Sequence, residues 1–137
     1  MSEVKTNKLT GTTSAGDVDV TSEGGAVTFQ LQQGLAKAWI NFNGTGTIAS
    51  RDSFNIGSLT DVSTGKYLLS YSSSMGNDDY VLTGGARSPG TASGLFNAPT
   101  DATTDIATGS TEVYTLNFTG GATDFTYDFV TVQGDLA

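Results

Sequence analysis

Carboxylates are the only acid–base chemistry on offer in this sequence, which holds no His and no Cys. That excludes Ser-His-Asp and Cys-His triads, disulfides and ordinary zinc sites together. Asp78 and Asp79 sit side by side after Asn77, and Asp124 and Asp128 fall at i, i+4 on one face of a predicted strand. Glycoside hydrolysis needs two carboxyls about 5 to 9.5 Å apart, but an acidic chain supplies such pairs by composition alone. Asp17 with Asp19, and Asn77 with Asp78 and Asp79, offer oxygen ligands to Ca²⁺ without the bidentate Glu that closes a full loop signature. Gly44-Thr-Gly46-Thr-Ile-Ala49 matches the dinucleotide pattern G-x-G-x-x-A, yet the residues after it read as extended rather than helical. A hairpin turn is the better reading. Asn43-Gly-Thr45 and Asn117-Phe-Thr119 fit the glycosylation sequon and read equally well as turn residues. No metal or cofactor is expected.

Gly (18), Ser (14) and Thr (22) dominate the 137 residues. Leu, Ile, Val and Phe make up about 22%, just above the level at which chains stay disordered. One chain therefore has little material for a core, and association would help to complete it. The net charge of −8 repels phosphate backbones, which argues against nucleic-acid binding. The polar opening MSEVKTNKLTGTT lacks the apolar stretch of a secretory signal, and no run approaches the roughly 18 to 20 apolar residues of a membrane span. No membrane insertion is expected.

Three segments are expected: an arm over residues 1–30, a helical connector over 31–38 and a β-rich head over 39–137. The arm is polar, with apolar points at Val4, Leu9, Val18, Val20, Val27 and Phe29, the candidate anchor residues. In residues 29–39, Leu31, Leu35 and Ala38 recur at i, i+4, i+7, the spacing of a helix stripe interrupted by Gly34. From residue 38 the period becomes two: Trp39, Asn41 and Asn43 on one face, Ala38, Ile40 and Phe42 on the other. Tyr67, Leu69 and Tyr71 repeat the pattern, as do Tyr80 and Leu82. Residues 112–119 read as the clearest strand, with Tyr114, Leu116 and Phe118 sharing a face. Phe125, Tyr127 and Phe129 alternate with Val130 and Val132 opposite. Residues 84–110 read as a long loop with at most one short edge strand. Short strands between turn clusters predict a mainly β fold, a sandwich or jelly-roll-like head.

The run Leu31-Gln-Gln-Gly-Leu-Ala-Lys-Ala-Trp-Ile-Asn-Phe-Asn-Gly-Thr-Gly46, continuing through Arg51-Asp-Ser-Phe-Asn55, resembles a module of small fibre and tail-fibre-like proteins of marine tailed bacteriophages, cyanophages included. The turn at 61–65, the strand at 66–71, Asp79-Tyr80 and the ending Val132-Gln-Gly-Asp-Leu-Ala137 share in it. The opening residues 3–11 resemble such a fibre's virion-attachment segment. The resemblance implies a non-enzymatic virion component assembled in the host cytoplasm, a homotrimer anchored to other virion proteins by its arm. Its head would meet a host glycan or protein. Leu31, Leu35, Ala38 and Trp39 are the candidate trimer contacts, and Ser88, Thr91, Leu95, Phe96 and Asn97 the candidate surface-loop residues. A capsid-decorating fibre or minor structural protein is the alternative; a carbohydrate-cleaving enzyme is the third reading.

Overall fold

The alternation that marks residues 38–133 is realised, in the computed structural model of the chain, as antiparallel strands. The structure describes residues 3–12, 18–21, 23–25, 28–89, 94–97 (backbone only at 95–97) and 105–137. It forms two compact units, residues 1–35 and 36–137. Val27, Thr91 and Asp17 lie outside the described residues.

In the first unit, β1 (Asp19–Thr21) and β2 (Thr28–Gln30) make a hairpin with Val20 opposite Phe29. The Leu31 amide donates to the Val18 carbonyl at 2.7 Å and closes the base of this hairpin. Val4, Leu9 and Phe29 are exposed, whereas Val18 and Val20 are half-buried. The expected connector helix is not formed, and no helix occurs among the described residues. Residues 31–35 instead make successive turns, with Gln33 donating to the Gln30 carbonyl and Leu35 to the Gln32 carbonyl. Two reasons account for this. A two-turn helix with Gly at its middle is marginal on its own, and sheet pairing claims the residues that would have completed it. The Lys37 amide donates to the Val132 carbonyl at 2.8 Å, so the strand geometry begins immediately after the turns.

The second unit contains β3 (Ala38–Asn43), β4 (Ala49–Phe54), β5 (Ile56–Ser63), β6 (Lys66–Tyr71), β7 (Val81–Arg87), β8 (Leu95–Asn97), β9 (Ile106–Ala107), β10 (Ser110–Leu116) and β11 (Tyr127–Gln133). One sheet runs β4-β3-β11-β7; the other runs β5-β6-β10-β8, with β9 also on β10. Ala38, Ile40, Phe42, Val130 and Val132 from the first sheet and Tyr67, Leu69, Tyr71 and Val113 from the second share one buried cluster. Met75 and Tyr80 complete it. The alternation expected on β3 and β6 is the observed one, with Ala38, Ile40 and Phe42 and Tyr67, Leu69 and Tyr71 on the inward side. On β10, expected over residues 112–119, the strand ends at Leu116: Tyr114 and Leu116 share a face as expected, Thr111, Val113 and Thr115 point inward, and Phe118 falls in an exposed turn. Threonine hydroxyls can be buried here because the backbone accepts them, as Thr115 Oγ1 does in donating to the Thr123 carbonyl at 2.7 Å. Residues 84–110, expected to be loop, hold the end of β7, all of β8 and β9, and the first residue of β10. Leu95, Phe96 and Asn97 thus belong to a strand paired with β10 rather than to a surface loop.

The sheets are joined at both sides. An isolated bridge pairs Ala86, in β7, with Gly94, next to β8. On the other side the chain passes from β4 to β5 through Asn55, which has φ of 57°, a left-handed conformation that Asn tolerates better than most residues. Its Nδ2 donates to the Lys37 and Ser73 carbonyls, each at 3.0 Å, and its Oδ1 accepts from the Ser73 amide at 2.7 Å. Asn55→Ala loses three hydrogen bonds and strains the corner, so unfolding free energy should fall by about 2–4 kcal/mol. Asn55→Gly, which relieves the φ but not the lost bonds, should fall by less. Denaturant unfolding of the two variants checks the ranking; equal losses would mean that the backbone conformation contributes nothing.

Candidate functional site

Each residue of β3 and β11 that enters the core turns its neighbour outward, and the outward set is rich in aromatic rings. Trp39 lies opposite Phe54 on β4 and opposite Thr131 on β11, and Thr131 in turn faces Thr83 on β7. One step along, Asn41 is flanked by Asp52 and Phe129, and Phe129 faces Gly85. A side chain at Gly85 would collide with the Phe129 ring, its Cβ falling 2.7 Å from Cζ, so the glycine gives that ring its place on the sheet. Phe54 and Phe129 are 51% and 47% exposed, a large share for phenylalanines in the middle of strand pairs. Val81 on the same face is 58% exposed. Polar Thr, Asn and Gln side chains separate the rings.

Both arginines of the chain come to this face. The Arg51 guanidinium carbon is 4.3 Å from the centroid of the Tyr127 ring, and that of Arg87 is 5.0 Å from it. They approach from strands on opposite sides of β11, the geometry of a cation–π contact in each case. Arg51 is placed by a β-bulge: Asn41 pairs with Asp52 and Phe42 with Ser50, which leaves Arg51 as the extra residue. Its guanidinium donates to the Thr126 carbonyl at 2.6 Å and to Asn41 Oδ1 at 3.3 Å. Among the described residues neither arginine pairs with a carboxylate. Ser88 accepts from the Thr126 amide at 3.0 Å and so ties the end of β7 to the start of β11. It is half-buried against Thr126 rather than at a loop tip.

Beneath this face lies the carboxylate pair. Asp128 is on β11, but Asp124 precedes the strand, so the two do not share a strand face. Asp128 is 1% exposed and neither of its oxygens has a hydrogen-bond partner. Asp124 Oδ1 accepts from the Gly65 amide at 2.6 Å and from Tyr67 Oη at 2.9 Å. Tyr67 packs edge-on to Phe42, the centroids 4.9 Å apart. Burial raises the Tyr67 phenol above its ordinary range, with Asp124 adding to the effect. Burial and then the Asp124 carboxylate push Asp128 up to about 7, against the opposing pull of Arg51. A carboxyl this deeply covered cannot reach a sugar, which removes Asp124 and Asp128 as a hydrolytic pair.

The other sequence-marked groups are turns. Gly44–Ala49 does connect two antiparallel strands, β3 and β4. Asn43 Nδ2 donates to the Thr45 carbonyl at 2.7 Å, and Asn117 Oδ1 accepts from Thr119 and from Gly121. Asp78 and Asp79 are exposed, with the Asp79 amide donating to Asn77 Oδ1 at 3.0 Å. Among the described residues no group of three carboxylates could hold a metal ion. Of the candidate trimer contacts, Ala38 is fully buried in the head core and so is withdrawn from any interface. Leu35 is 54% exposed, Leu31 half-buried, and Trp39 points away from Ala38. Phe54, Phe129, Arg51 and Arg87 were missed in the sequence; Phe129 alternating with Val130 and Val132 is the signal that could have found it. In comparisons with known proteins, no family model, no curated protein and no solved structure matches the chain.

The Asp128 carboxyl sets a pH dependence. In the unfolded chain it ionises near pH 4, while in the fold it keeps its proton to about 7. Stability contributed by the protonated form is full below pH 4 and is lost as pH rises toward 7, by up to about 4 kcal/mol. The wild-type melting temperature should therefore fall between pH 4.5 and pH 7.5, and Asp128→Asn should flatten that fall and melt higher at pH 7.5. A parallel slope in the variant would place the titrating group elsewhere.

Proposed function

We propose that the chain is a non-enzymatic bacteriophage virion component, a short trimeric fibre whose residues 1–35 attach to the particle and whose second unit is a sandwich-like binding head. One observation supports a binding rather than a catalytic head: the outward face of β4-β3-β11-β7 holds three large aromatic side chains, two of them about half exposed. Solvent-facing rings on a rigid sheet cost stability in a protein with so little apolar material, and contact with a partner surface repays that cost. The virion assignment rests on the resemblance carried by residues 31–55, and the hairpin of β1 and β2 gives the attaching segment a preformed sheet edge. The surface for trimer contacts moves from a helix stripe to exposed Leu35 and its neighbours. The capsid-decorating reading shares this architecture and differs only in what the outward face meets.

Deleting residues 2–28 should give a folded head that no longer enters particles, read by β circular dichroism and by immunoblotting of purified particles. The double variant Phe54→Ser, Phe129→Ser should still be incorporated, and particles carrying it should adsorb to host cells several-fold less. Unchanged adsorption with normal incorporation selects the capsid-decorating form. Analytical ultracentrifugation at micromolar concentration should give a trimer; Leu35→Asp should dissociate it. An arm-deleted protein that still enters particles reverses the assigned polarity.

A further inference from the structure

We infer that the outward face of β4-β3-β11-β7 takes a carboxylate-bearing polysaccharide, the uronic-acid class, with Arg51 and Arg87 as its charge contacts. This rests on the reading of that face as the binding surface and adds the chemistry of what is bound. The chain is strongly acidic, with 14 Asp and Glu against 6 Lys and Arg. An acidic protein meeting an acidic polymer would ordinarily need cations to bridge them. Here the two arginines converge on one tyrosine, with Asp52 the one carboxylate among the described residues at the outward register positions around them and Asp128 beneath the sheet. Local charge, not net charge, decides what docks at contact distance, since screening confines each charge to about 8–10 Å.

The guanidiniums are also prepared for the task. Arg51 has two nitrogens committed to Thr126 and Asn41, which fixes its plane, and both side chains lie over Tyr127. A planar fork held in this way matches a carboxylate bidentately. Little rotamer freedom remains to be lost on binding. The rest of the face separates a sugar from a protein. A protein interface has a contiguous apolar centre, whereas here Trp39 and Phe54 are direct neighbours and Phe129 is offset from them by a register step, with Asn41 and Thr131 at the intervening corners. Flat rings interleaved with hydroxyls and amides suit the alternating C–H and O–H surface of a sugar chain.

The test uses the full chain and its Arg87→Gln variant, because among the described residues Arg87 makes no side-chain hydrogen bond to the backbone, unlike Arg51. Isothermal titration with an oligogalacturonate should show binding that weakens about tenfold in the variant, weakens with added salt and is unaffected by EDTA. Binding of the uncharged galactose oligomer should be weaker and equal in the two proteins. Oligogalacturonate binding that is unchanged in Arg87→Gln with native circular dichroism overturns the inference, as does binding that EDTA abolishes. A sulfated oligosaccharide that binds while oligogalacturonate does not overturns the carboxylate assignment. Weakened self-association in Arg87→Gln, without an effect on sugar, makes the face a subunit interface and overturns it too. If particle adsorption depends on Phe54 and Phe129 but not on Arg87, the inference fails and the proposed function stands. If adsorption depends on neither, the inference fails and the capsid-decorating form is selected.

Discussion

In the ladder between Ala38–Asn43 and Tyr127–Gln133, two central strands hold both the core and the face that looks away from it. Ala38, Ile40 and Phe42 meet Val132, Val130 and Asp128 on the inside, which fixes Trp39 and Asn41 against Thr131 and Phe129 on the outside. A slip of one residue would exchange the two sets. It would send Trp39 and Phe129 into a cluster built for Ala, Val and Ile, and put Val130 and Val132 into water. The register of one strand pair therefore secures the outward rings as firmly as it secures the core. The bulge that aims Arg51 acts within the same frame, since Asn41 and Phe42 define where the extra residue falls.

The parts of this arrangement that could be read from residues are those where one period operates alone. The inward faces of β3 and β6 follow directly from Ile40, Phe42, Tyr67 and Leu69. Where two signals compete, the reading fails. Leu31, Leu35 and Ala38 have helix spacing, but Ala38 also has strand parity, and sheet pairing through Val132 decides the contest. On β10 the shared face of Tyr114 and Leu116 was legible but not which face is buried: Thr111 and Thr115 take the inside, because hydroxyls bonded to nearby carbonyls bury at little cost. Residues 84–110 lacked alternation altogether. Their strands exist because β10 and β11 offer edges to pair with, information that resides in distant residues. The meeting of Arg51 and Arg87 at Tyr127 is of the same kind: positions 36 residues apart in the chain, made neighbours by strand order.

Asp128 shows how closely the two faces are coupled. Its neighbour Tyr127 carries the arginine contacts, and Arg51 in turn lowers the cost of charge on Asp128 through the sheet. The pair Asp124 and Tyr67, with the Gly65 amide, closes the inner end of the head around that carboxyl. What looked like an acid–base pair in the sequence is thus a structural group, buried among backbone amides and a phenol. The exposed rings and the two arginines lie on the opposite face of the same sheet.

The irregularity at Arg51 has a second effect. Among the described residues β4 pairs only with β3; it is exposed along its whole length and carries Ser50, Arg51, Asp52 and Ser53 in succession. A regular, apolar edge strand is a template for another chain to add to, the route to amyloid-like growth. A bulge breaks the even spacing of its amides, and adjacent opposite charges resist desolvation by an incoming strand. Copies of this protein at high local concentration are in this way kept from polymerising edge to edge.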